Sequence, residues 1–93
     1  MSFHRSLEMS LSREEFLRLL RALVGAFEVD GETIRWSDAG RFWTIRLVPL
    51  SDRRVGSVAV PRHRVEIALE ACPGAEGEAF MSRFHRGFLR GGG

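Results

Sequence analysis

The residues of this chain that are able to do chemistry fall into three sets. The first is one thiol, Cys72, with three histidines, His4, His63 and His85. A thiolate beside an imidazole is a nucleophile and its base, but the two groups must lie within hydrogen-bond reach. Nothing in the spacing brings them together. The chain has no nucleophile elbow, no phosphate-binding glycine loop and no pair of histidines at metal-binding helical spacing. Its clustered acids, Glu14-Glu15 and then Glu76 and Glu78, read as first-turn helix residues, where the helix dipole favours negative charge. The sequence therefore reads as non-enzymatic, with no catalytic residue, cofactor or metal assigned.

The second set is basic. Arg53 and Arg54 fall in a polar stretch, Arg62 and Arg64 in an extended one, and Arg83, Arg86 and Arg90 near the carboxy terminus. Arginines so placed can meet phosphates or an acidic partner. The 93-residue chain nevertheless carries a net charge of only +2, a weak field for generic nucleic-acid binding. Its pI near 9.9 reflects cation type. All 14 basic residues are arginine, and Lys, Tyr, Asn and Gln are absent. A GC-rich, bacterial-type genome accounts for the first three absences. The excess is local: residues 1–50 hold seven arginines and seven acids, residues 51–93 seven arginines and five acids.

The third set is the terminal Leu89-Arg90-Gly91-Gly92-Gly93. It resembles the tails of ubiquitin-like and sulfur-carrier proteins, whose Gly-Gly ends are activated at the carboxylate. That resemblance covers about five residues, Gly93 extends the pattern, and the tail here follows a helix where those proteins have a strand. A single RGG falls short of the repeats of an RNA-binding segment.

The elements that position these residues are legible from periodicity. Residues 1–10 read as a flexible polar lead. Ser12 and Glu15 form a capping box, with Leu11 and Phe16 placed as a hydrophobic staple. Phe16, Leu19, Leu20, Leu23 and Phe27 then mark one face of a helix. Asp30-Gly31 signals a turn or bulge. Trp43, Ile45 and Leu47 alternate with Thr44 and Arg46 in a half-buried strand. Turns are expected at 37–40 and 51–54. The extended stretch from Val55 changes parity around Pro61, which predicts a break, a bulge or an edge there. Phe80, Phe84 and Phe88 form the stripe of a final amphipathic helix, with Phe42, Trp36 and Trp43 assigned to the core beside it. Gly91 is the expected left-handed cap, and 91–93 a flexible tail.

Together these elements predict one α+β domain over residues 11–90. The expected fold is a two-layer sandwich in α-β-β-β-α order, with a three- to four-stranded antiparallel meander and both helices on one face. That order resembles double-stranded-RNA-binding domains in topology, which implies a basic surface for phosphates. The final helix opens instead with Glu76 and Glu78, which would repel them. The lone thiol fits a reducing compartment. No apolar run approaches a membrane span, and a cytoplasmic location is expected. The leading functional reading is a small accessory protein working through protein–protein contacts or as a homodimer. An RNA- or DNA-binding module using the seven arginines comes second, and a carrier modified at its terminal glycines third.

Overall fold

The computed structural model describes residues 3–38, 41–69 and 74–92. Five strands and two helices follow in the order β1 (Phe3–Met9), α1 (Arg13–Val24), β2 (Glu28–Asp30), β3 (Thr33–Asp38), β4 (Arg41–Val55), β5 (Val58–Leu69) and α2 (Gly74–Gly92). The strands form one antiparallel sheet in the spatial order β1-β5-β4-β3-β2. Strands β2 to β5 are the expected meander. The α+β class stands, but the sheet has five strands rather than three or four.

The fifth strand corrects the reading of residues 1–10 as a flexible lead. Phe3 to Met9 pair with β5 from Leu69 to His63. Their polar composition gives a weak local signal, because the pairing joins residues some sixty positions apart. Phe3 is buried and packs beneath α2. A Cβ at Gly77 would lie under 3.0 Å from atoms of the Phe3 ring, so glycine at that position lets the strand and helix approach.

Helix α1 starts as its sequence dictates. Ser12 Oγ accepts the Glu15 amide at 3.2 Å, satisfying one of the donors a helix start leaves open. The Glu15 carboxylate accepts from the Ser12 hydroxyl at 3.1 Å, in place of the expected bond to the Ser12 amide. Leu11 and Phe16 are both buried. The helix ends at Gly25, whose φ of 82° places it in the left-handed region and whose amide donates to the Arg21 carbonyl.

Two hairpins use the same device. Asp30 pairs with Thr33 around Gly31-Glu32, and Val55 with Val58 around Gly56-Ser57. Gly31 and Gly56 have φ of 61° and 62°, which two-residue turns require at the first central position. The second hairpin corrects the turn expected at 51–54. Those residues continue β4, and the chain reverses at Gly56-Ser57 instead. The ladder does slip there: Leu50 faces Arg62 and Arg53 faces Val60, so Ser51 and Asp52 together oppose Pro61. The irregularity foreseen at Pro61 is thus a bulge in the partner strand. Of the turn expected at 37–40, Ser37 and Asp38 belong to β3, and positions 39–40 lie outside the described residues.

Both helices cover one sheet face. Trp36 and Trp43 lie opposite each other and stack with centroids 5.8 Å apart. Phe80 meets Trp43 at 4.2 Å, Phe84 stacks on Phe88 at 4.2 Å, and Phe88 reaches Phe16 of α1 at 5.0 Å. The phenylalanine stripe is therefore core along its whole length. Aromatic contacts of this kind add about 0.5–1.5 kcal/mol each beyond area burial. Helix α2 runs to Gly92, past the cap expected at Gly91 and into the tail expected at 91–93. Among the described residues, no helix is long and apolar enough to cross a membrane.

Candidate binding surface

The other sheet face carries no helix. Alternation along β5 from Leu69 to Val58 sends Val65, Ile67 and Leu69 to the core and Arg62, Arg64 and Glu66 to the open side. The register then places their partners. Arg46 lies opposite Glu66, Val48 opposite Arg64, Leu50 opposite Arg62, Arg53 opposite Val60 and Val55 opposite Val58. The bulge at Ser51-Asp52 keeps Arg53 and Val55 on this face. Arg54, opposite Ala59, faces the other way.

Beyond the bulge the sheet narrows to two strands. Strand β3 joins β4 only up to the Thr33–Arg46 pair, and β1 joins β5 only up to Met9–His63. The remaining β4–β5 ribbon is an arm, and residues 51–59 are all exposed. The molecule measures 46 × 26 × 22 Å. The arm ends in an apolar pair, Val55 and Val58, 58% and 59% exposed. Arg53 and Arg54 sit just behind the tip, one on each face.

Ion pairs engage two of the arginines on this face. At the base, Arg46 meets Glu32 at 3.6 Å. Arg62 meets Glu8 of β1 at 3.3 Å, and its Nε donates to the Ser51 carbonyl at 3.0 Å. No ion pair forms at Arg53, Arg54 or Arg64 among the described residues. Residues 48–64 contain four arginines and one acid, Asp52. Their net charge is +3 against +2 for the whole chain, so the other 76 residues together carry −1. The positive charge of the protein is thus concentrated on the arm and its root.

The seven arginines singled out in the sequence do not converge. Arg53, Arg54, Arg62 and Arg64 belong to the arm and its root. Arg83 and Arg86 are exposed on α2, in the helical layer, near Leu23 of α1. The side chain of Arg90 lies outside the described residues. The acids expected to oppose phosphate at the start of α2 are engaged elsewhere: Glu76 pairs with Arg41, and Glu78 with Arg5 of β1.

Sequence reasoning missed two surface features. Phe42 was assigned to the core but is 69% exposed. It pairs with Ser37 on the open face, beside an open groove of about 510 Å³ that Arg35 and Thr44 also line. Its even position, next to buried Trp43, was the signal. The Val55–Val58 tip was legible as two valines flanking Gly-Ser, but it was hidden by the turn expected at 51–54.

The catalytic candidates assemble nothing among the described residues. His63 donates from Nδ1 to the Leu11 carbonyl at 2.8 Å, tying β5 to the entry of α1. His4 faces the open side from β1, and His85 packs edge-on against Phe84. Cys72 lies outside the described residues. No group of three or more potential metal ligands occurs among those described. Comparisons of the chain with protein-family models, with characterised proteins and with solved structures found no match to any of them.

Proposed function

We propose that this protein is a small, non-enzymatic binding protein whose contact surface is the β4–β5 arm and the open sheet face at its root. The observation that carries the reading is the arm itself, two strands reaching past the core to a bare valine pair, with oppositely facing arginines just behind it. An isolated two-stranded ribbon is marginally stable in water, and exposed apolar tips bring the fold nothing. Such a projection is accounted for by contact with another molecule. The phenylalanine stripe of α2 is buried and cannot serve as a partner's anchor, which leaves the arm as the strongest candidate.

The test compares the intact protein with a tip variant, Arg53→Ala combined with Val55→Ser and Val58→Ser, as bait in an extract of the source organism. The variant should melt at the wild-type temperature, since its changes are exposed, and should lose the molecules that the wild type retains. An identical catch from both baits refutes the reading.

A further inference from the structure

We propose that the arm's partner is a B-form DNA duplex, held through its phosphates with the ribbon lying in a groove; the proposal rests on the binding reading above. Four observations select this occupant. The free edges of the arm are guarded at its root, where Pro49 of β4 and Pro61 of β5 have no amide N–H to donate, just past the last pairs with β3 and β1. Proline and a bulge are the usual guards of an exposed edge, so a partner must be met by side chains. Arginines then stand on both faces of the ribbon, Arg53 on one and Arg54 on the other. A flat acidic protein surface would meet one face, whereas the walls of a groove meet both.

Spacing is the third observation. On the open face a cation occurs at each of the four successive levels below the valine tip, in the order Arg46, Arg64, Arg62 and Arg53. Successive levels are about 6.8 Å apart along a strand, the rise of two base pairs at about 3.4 Å each. Among the described residues Arg53 and Arg64 form no ion pair, whereas Arg46 and Arg62 are held by Glu32 and Glu8. The fourth observation separates nucleic-acid forms. Residues 48–64 hold no Phe, Trp or Tyr, so the arm is no stacking platform for single strands. The major groove of B-form DNA, about 12 Å wide, admits a two-stranded ribbon, whereas the major groove of A-form RNA is too deep and narrow for one.

The experiment is a salt titration of binding to a labelled DNA duplex of about 20 base pairs, followed by anisotropy. Four arm arginines acting on phosphates predict a log–log slope near −3.6, about −0.9 per contact. Arg53→Ala with Arg54→Ala, still folded by its melting temperature, should lower the slope magnitude by about 1.8, and Arg64→Ala alone by about 0.9. Arg83→Ala with Arg86→Ala should leave it unchanged. The proposal is overturned by no duplex binding at low salt, by equal or tighter binding to duplex RNA or polyglutamate, or by a loss that follows the α2 arginines. If the tip variant loses a protein catch while the wild type ignores DNA, only this proposal falls and the binding reading stands. An unchanged catch removes both.

Discussion

Replacing Gly77 with alanine should destabilise the protein, although helix propensity alone predicts the reverse. In a helix, alanine is favoured over glycine by about 1 kcal/mol. At Gly77 the added methyl would overlap Cγ, Cδ2 and Cε2 of Phe3. Either α2 lifts from β1, at an overpacking cost of about 1–3 kcal/mol, or the ring leaves the core and forfeits roughly 1.5–3 kcal/mol of burial. Set against the propensity gain of about 1 kcal/mol, the net loss is up to about 2 kcal/mol. For a chain of this size that corresponds to a fall in Tm of up to about 16 °C. Thermal and urea unfolding of the wild type, Gly77→Ala, Phe3→Ala and the double variant would give the coupling directly. With Phe3 truncated the clash is gone, so Gly77→Ala should then be neutral or stabilising. Gly87→Ala is the internal control. Its Cβ would meet Leu23 Cδ1 at an ordinary 3.6 Å, so the change should stabilise by up to about 1 kcal/mol. A Gly77→Ala protein as stable as Gly87→Ala, or no coupling to Phe3, would refute the docking of β1 beneath α2.

Three further outcomes are expected. Phe84→Ala should cost about 3–5 kcal/mol in denaturant unfolding, since Phe84 is fully buried against Phe16, Phe80 and Phe88. Phe42→Ser should change stability by less than about 0.5 kcal/mol, because that ring is mostly in solvent. Ser12→Ala should cost about 1 kcal/mol through loss of the helix cap, seen as a lower urea midpoint at an unchanged m-value.

Local physics made much of this fold legible. The cap of α1, the Gly31 turn, the odd-numbered core face of β4 and the phenylalanine stripe each follow from neighbouring residues, and each is where its pattern put it. What escaped depends on distant partners. Strand β1 has only Phe3, Leu7 and Met9 to suggest a period of two, with Arg5 interrupting them. It is held by β5, by Gly77 and by the Arg5–Glu78 and Glu8–Arg62 pairs. Those ion pairs are exposed and contribute at most about 1 kcal/mol each, so burial of Phe3 and the ladder hold the strand. The continuation of β4 through Ser51-Asp52-Arg53-Arg54 runs against composition, since Ser and Asp favour turns. The bulge absorbs both residues and lets the hairpin close at Gly56 instead.

The surface followed the same division. That Arg62 and Arg64 share the open face could be read from alternation beyond Pro61. The separation of Arg83 and Arg86 from them, in the other layer, needed the three-dimensional arrangement. So did the uneven pairing of charges, because Glu8 reaches Arg62 only through the strand that the sequence concealed.

The most direct test of the arm as the binding surface is residue-resolved NMR of the intact protein during titration with a DNA duplex. The account predicts amide shift changes concentrated between Val48 and Arg64, largest around Arg53 to Val58, with α2 silent. Changes centred on Arg83 and Arg86, or a spectrum that does not move at low salt, would contradict it.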